Sequence, residues 1–136
     1  MEDAKTLTRA RDGAGKRLLL VDDEEAILRP MSKYFRELGY SVVPARDVVE
    51  AETALARETF DLLILDVRLA PHERGGLDVL RALRIARSPI PVVVMSAYVS
   101  HEVEAEALSL GARVVLRKPQ PLATVASTAL TLVGEP

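Results

Sequence analysis

The sequence contains no cysteine and no tryptophan, and aromatic residues make up only 4% of it. Without cysteine there are no disulfides or thiolate metal sites, which is consistent with a cytoplasmic protein. Few stacking side chains and a formal net charge of −2 disfavour direct nucleic-acid binding. No apolar run approaches the roughly 20 residues of a membrane-spanning helix, and the charged N-terminus lacks a signal-peptide core.

The 136 residues are enough for one domain, and a hydrophobic content of 49% excludes disorder of the whole chain. Residues 1–15 are polar and contain glycine, so we expect them to form a disordered leader. The domain itself is predicted to cover residues 16–134.

Five short apolar runs predict buried strands, and an amphipathic helix is predicted after each of them. The runs are residues 17–21, 40–43, 61–66, 91–95 and 114–116. Because crossovers between parallel strands are right-handed, this alternation predicts a doubly wound parallel α/β sheet with helices on both faces.

Short polar and glycine signals predict where the helices begin and end. Asp23 is expected to cap the first helix, and Asp47 with Glu50 forms a capping-box pattern for the second. Gly39 and Gly111 are expected to end the first and fourth helices. The third helix is predicted over about residues 76–87, and Pro121 is expected to open the last one.

Polar side chains follow four of the five predicted strands. They are Asp22 and Asp23, Asp66, Ser96, and Lys118. The carboxyl ends of parallel strands share one edge of a sheet, so these groups should meet there. Crowded carboxylates favour a hard divalent cation, Mg²⁺ with Mn²⁺ as an alternative. A cation, a lysine and a hydroxyl together would stabilise a phosphoryl group on or beside Asp66, and a carboxylate can itself accept that group.

These motifs, in this order, resemble the receiver domain of bacterial two-component response regulators. The matching elements are Asp22-Asp23, Asp66, Ser96-Ala97 and Lys118-Pro119. The resemblance covers about residues 16–134 and implies a flavodoxin-like fold with strand order 2-1-3-4-5. It also implies that Asp66 is the phosphoacceptor, and that Asp22, Asp23, Asp66 and the backbone carbonyl of Arg68 hold Mg²⁺.

The resemblance also implies roles for the last two motifs. Ser96 is expected to turn its hydroxyl toward the phosphoryl group, Lys118 to pair with that group, and the peptide bond before Pro119 to be cis. The protein would then be a signalling switch and not an enzyme with a turnover substrate. A sensor histidine kinase or phosphotransfer protein would phosphorylate it, and the last helices would contact a downstream protein.

The sequence departs from the family pattern at several positions. Val115 stands where the family usually has Phe or Tyr, so coupling is expected to run through Ser96 and the loop behind it. The loop after Asp66 is longer than usual around His72. Arg68 and Tyr98 are large side chains near the acceptor, and we hypothesise that they slow loss of the phosphate.

The residues alone leave three other functions to be tested, and they leave two interpretations of the outer face of the last helix. A haloacid-dehalogenase-type hydrolase would need Asp-x-Asp after the first strand, and a flavodoxin would need hydroxyls there. A receiver that no longer becomes phosphorylated would act only as a docking module. The last helix has an uncharged outer face, which fits either a plain solvent surface or a contact face for a dimer or another domain.

Overall fold

The computed structural model describes residues 15–69, 74–97 and 99–134, and five strands alternate with five helices over these residues. The elements are β1 (Arg17–Val21), α1 (Glu25–Leu38), β2 (Ser41–Ala45), α2 (Val48–Arg57), β3 (Leu62–Leu65), α3 (Gly75–Ile85), β4 (Val92–Ser96), α4 (His101–Ser109), β5 (Val114–Arg117) and α5 (Leu122–Val133). Apart from Gly15, the predicted leader lies outside the described residues and stays a prediction.

All strands of the sheet run parallel, in the order β2-β1-β3-β4-β5, as predicted. In the register of the central pair, Val21 lies opposite Leu65. The next residues of the two strands, Asp22 and Asp66, are therefore neighbours at the carboxyl edge. Because β1 and β3 are adjacent in the sheet, Asp22 and Asp66 lie side by side although they are far apart in the sequence.

Helices cover both faces of the sheet, and each face has its own hydrophobic core. Leu19 and Val21 pack with α2, α3 and α4, whereas Leu18 and Leu20 pack with α1 and α5. Successive side chains of a strand point to opposite faces, so a strand between two cores must be apolar throughout. All four residues of β3 are buried for the same reason.

Several predicted helix ends are confirmed. The Asp47 carboxylate accepts a hydrogen bond from the Glu50 amide at 2.7 Å. The Glu50 carboxylate accepts in turn from the amide of Arg46, one residue earlier than in a standard capping box. Gly39 and Gly111 have φ angles of 110° and 108°, the left-handed conformation that ends a helix.

The predicted cap of α1 is wrong. Glu24 precedes the helix, and no side chain caps it. The Glu24 amide instead donates to the Asp22 carboxylate at 2.9 Å. Asp22, which directly follows β1, therefore accepts the hydrogen bond from the residue before α1, and Asp23 does not.

Three predicted boundaries also shift. The second strand extends through Pro44 to Ala45, which is tolerated because β2 is an edge strand paired on one side only. Helix α3 ends at Ile85, since Arg87 adopts a positive φ of 56°. Helix α5 begins at Leu122, one residue after Pro121.

Candidate functional site

An acidic group lies at the carboxyl edge of β1 and β3. Asp22, Asp23, Glu24 and Asp66 each offer a carboxylate oxygen, and these oxygens lie within 4.8 Å of one another. Asp22 and Asp66 are only 7% and 5% exposed, whereas Asp23 and Glu24 are exposed. Two carboxylates thus form the buried floor of the group, and two form its solvent-facing rim.

Local backbone amides orient the two buried carboxylates. Asp66 Oδ1 accepts from the Arg68 amide at 3.1 Å, and Asp22 Oδ1 accepts from the Glu24 amide at 2.9 Å. In both cases the donor lies two residues later along the chain, a turn typical of aspartate. The Oδ2 atom of each aspartate therefore faces the centre of the site.

Lys118 occupies that centre. Its ammonium lies 2.6 Å from Asp22 Oδ2, 2.8 Å from Asp66 Oδ2 and 3.4 Å from the Glu24 carboxylate. The lysine follows β5 directly, and its backbone amide donates to the carbonyl of Ser96 on β4 at 3.0 Å. Only 8% of its side chain is exposed. Lys118 is therefore a buried counter-ion to two carboxylates.

This buried arrangement shifts two pKa values. Burial raises the pKa of Asp22, although the hydrogen bonds from Lys118 and from the Glu24 amide oppose the change. Burial alone would lower the pKa of Lys118, but its hydrogen bonds to Asp22 and Asp66 raise it above the ordinary 10.5. The lysine consequently stays charged at neutral pH.

Ser96 completes the site from the end of β4. Its side chain is fully buried, and its hydroxyl has no hydrogen-bond partner among the described residues. Ser96 also lines a cleft of about 280 Å³ with Asp66, Lys118 and Ala97. A buried hydroxyl without a partner costs stability, so an oxygen-rich ligand in this cleft would satisfy a group that the fold leaves open.

The donor set fits a magnesium ion. Four carboxylates and one ammonium leave a formal excess of three negative charges in the site. All the candidate side-chain ligands are oxygens, which is the preference of a hard divalent cation. Such a cation would reduce the repulsion among the carboxylates and allow a phosphoryl group to approach.

The structure brings most of the predicted site residues together. Asp22, Asp23, Asp66, Ser96 and Lys118 meet at one edge of the sheet, and Arg68 lines the same cleft. The peptide bond between Lys118 and Pro119 is cis, the geometry implied by the resemblance. Tyr98 and His72 lie outside the described residues.

Two contributors were missed in the sequence. Glu24 is not among the predicted site residues, yet its carboxylate belongs to the acidic group and approaches Lys118. Four consecutive acidic residues after β1, Asp22 to Glu25, are the signal that could have indicated it. Gly76 was also overlooked: a Cβ atom there would lie 2.2 Å from the carbonyl oxygen of Asp66. Glycine is thus required where α3 packs against the backbone of Asp66.

The pattern of the family described as "Response regulator receiver domain" matches residues 18–129. The chain belongs to this family. This receiver domain is 44% identical over 110 residues to the alginate biosynthesis transcriptional regulatory protein AlgB of Pseudomonas putida, covering 81% of this chain and 24% of that relative. It is 35% identical over 102 residues to the transcriptional regulatory protein ZraR of Escherichia coli, covering 75% of this chain and 23% of the relative. The chain thus spans about a quarter of their length.

Solved structures confirm the flavodoxin-like fold. The receiver domain resembles a CheY-like response regulator receiver domain protein from Methanospirillum hungatei with a TM-score of 0.81 and 27% identity. That match covers 85% of this chain and 91% of the other. Among the described residues, no helix has the length and apolar character needed to cross a membrane.

Proposed function

We propose that the receiver domain accepts a phosphoryl group on Asp66 and works as a phosphorylation-activated signalling switch. The observation that carries this assignment is the buried Asp66 carboxylate held 2.8 Å from the Lys118 ammonium inside an acidic group. A helix cap would need neither the lysine nor the buried Ser96 hydroxyl beside it. A site for phosphoryl transfer needs both positive charge and a hydrogen-bond donor.

The proposed step is an in-line transfer to a carboxylate oxygen of Asp66. As the new P–O bond forms, the bond from phosphorus to the donor's histidine nitrogen breaks, and the bonding electrons stay with the imidazole ring. Lys118 pairs with the phosphoryl oxygens, and Ser96 donates its otherwise unpartnered hydroxyl to one of them. Asp22, Asp23 and Asp66, with the Arg68 carbonyl, would hold Mg²⁺, which neutralises phosphoryl charge when bound.

The donor is proposed to be a sensor histidine kinase or a phosphotransfer protein, and the output a protein contact. On α5, the solvent-facing residues are uncharged: Ala123, Thr124, Ser127, Leu130 and Thr131. Such a face suits a second copy of the chain or another protein domain better than nucleic acid. The domain limits are proposed to be residues 16–134.

Arg68 supports the proposed control of phosphate lifetime. It is exposed and lines the acceptor cleft beside Asp66. A large side chain there would hinder a water molecule approaching in line with the acyl phosphate. Replacing Arg68 and Tyr98 together by alanine should shorten the acyl-phosphate half-life, and an unchanged half-life would reject this role.

Intact-protein mass spectrometry with a small phosphodonor and Mg²⁺ tests the assignment. The native protein should gain one phosphoryl group, Asp66→Asn should gain none, and the exposed control Asp78→Asn should behave like the native protein. Equal labelling of Asp66→Asn would disprove the acceptor assignment. Sustained turnover of a generic phosphate ester would favour a hydrolase instead.

A further inference from the structure

Arg117, the last residue of β5, reaches the chain that follows β4. Its guanidinium donates to the carbonyl of Val99 at 2.5 Å, and a second nitrogen lies 3.9 Å from the Glu104 carboxylate on α4. Arg117 is paired in register with Ser96 and immediately precedes Lys118. One side chain therefore connects the strand that carries the lysine to the segment between the serine and α4.

The contact with Val99 lies immediately before the start of α4. The next residue, Ser100, is the N-cap of α4: its hydroxyl accepts from the Val103 amide at 3.1 Å and its carbonyl accepts from the Glu104 amide at 2.9 Å. Holding Val99 therefore holds the residue that initiates the helix. Arg117 thus contacts the residue that immediately precedes the N-cap of α4.

The opposite end of α4 is attached to a different element. Arg84 of α3 donates to the carbonyl of Ser109 at 3.2 Å, and Arg81 of α3 forms an ion pair with Glu106. The middle and the C-terminal end of α4 are thus tied to α3. Its N-terminal end is held to β5 by the bond from Arg117 to the Val99 carbonyl. A longer ion pair between Glu102 and Arg74 also links its first turn to the start of α3.

We propose that Arg117 is a positioning residue that couples Ser96 to α4. The aliphatic Val115 of β5 is partly buried against the core and has no aromatic ring to change rotamer. Arg117 supplies the link between β5 and α4 through the Val99 carbonyl. A turn of the Ser96 hydroxyl toward a phosphoryl group is transmitted along this link. The inference rests on the proposed phosphorylation of Asp66.

The contact is tested first in the unphosphorylated protein. Amide hydrogen exchange of Val103 and Glu104 should become about tenfold faster in Arg117→Met, since the bond that steadies their acceptor residue is lost. Arg117→Lys should restore part of the protection. Arg84→Met is the matched control, because it removes an arginine-to-carbonyl bond at the other end of the same helix. Unchanged exchange at Val103 and Glu104 in a folded Arg117→Met protein would overturn the proposal.

The coupling is tested by NMR shifts of the α4 amides after treatment with a small phosphodonor and Mg²⁺. In Arg117→Met the α4 response should fall to roughly half, while mass spectrometry still shows Asp66 labelled. Combining Arg117→Met with Ser96→Ala should add nothing to the loss seen with Ser96→Ala alone. A full α4 response, or fully additive losses, would overturn it. If wild-type Asp66 remained unlabelled, the proposed function would fail, and the exchange experiment would still decide whether the arginine contact holds α4.

Discussion

The ammonium of Lys118 lies 2.8 Å from the carboxylate of Asp66, although the two residues are 52 positions apart in the chain. The same ammonium also binds Asp22, and all three side chains are at most 10% exposed. Removing one member of such a group leaves a buried charge without compensation. Loss of Lys118 should therefore destabilise the metal-free protein.

Lys118→Met should accordingly lower the free energy of unfolding by about 3 kcal/mol without metal, since two buried carboxylates lose their counter-ion. Urea unfolding in the presence of EDTA measures the change. Lys33→Met is the control, because Lys33 pairs with Glu37 in solvent and its loss should cost less than about 1 kcal/mol. Similar costs for the two variants would contradict a buried ion pair at Lys118.

The pKa of Lys118 gives the alkaline limit of this stabilisation. Because its hydrogen bonds to the carboxylates raise the folded-state pKa above 10.5, the folded protein holds this proton more tightly than the unfolded chain. The contribution is complete below about pH 10.5 and is lost as the pH rises through the folded value. The difference in unfolding free energy between wild type and Lys118→Met should therefore stay constant up to about pH 10.5 and shrink as the pH rises further. A difference that already shrinks well below pH 10.5 would argue against the raised pKa.

Magnesium should stabilise the folded protein through the acidic group. At ten times its dissociation constant, a ligand that binds only the folded state adds about 1.4 kcal/mol. Asp23→Asn should weaken this response yet leave the metal-free protein as stable or slightly more stable, because one repelling charge is removed. The exposed Glu52→Gln is the control and should respond like wild type. Thermal unfolding with Mg²⁺ and with EDTA distinguishes these cases, and an undiminished response in Asp23→Asn would exclude that residue as a ligand.

Gly76 should tolerate no side chain. An added Cβ would lie 2.2 Å from the Asp66 carbonyl oxygen and 2.7 Å from Val67 Cα, so the backbone that carries the acceptor would have to move. Gly76→Ala should cost about 3 kcal/mol and slow phosphorylation. Gly111→Ala is the control: it has a positive φ but open space, so it should cost about 1 kcal/mol and leave phosphorylation unchanged. Equal phosphorylation rates for the two variants would show that the close contact does not position the acceptor.

Topology explains why much of the site could be predicted. A parallel sheet places every strand's carboxyl end on one edge, so Asp22, Asp66, Ser96 and Lys118 had to converge once the strands were recognised. Strand recognition in turn required only continuous apolar runs such as β3, because two cores enclose the sheet. The predicted acidic group and its lysine follow from these two facts.

Side-chain directions could not be predicted in the same way. The capping role expected of Asp23 went to no side chain, because α1 begins one residue later than predicted and Glu24, not Asp23, precedes it. The hydrogen bond from Arg117 to the Val99 carbonyl depends on the distance between β5 and the start of α4. Local sequence patterns do not give this distance. The requirement for glycine at position 76 likewise becomes visible only when α3 is packed against the acceptor strand.

Ser96→Ala separates the proposed signalling role of this hydroxyl from its effect on stability. The Ser96 hydroxyl is buried without a partner among the described residues, and so is that of Ser32 on α1. Removing either hydroxyl relieves an unsatisfied group, so both alanine variants should be as stable as wild type or slightly more stable in urea unfolding. Only Ser96→Ala should reduce the α4 response to phosphorylation, because only this hydroxyl lines the acceptor cleft. A response of Ser96→Ala as full as that of Ser32→Ala would exclude a role of the Ser96 hydroxyl toward the phosphoryl group. A loss of more than about 1 kcal/mol of stability would show that the hydroxyl has a structural partner in the unphosphorylated protein.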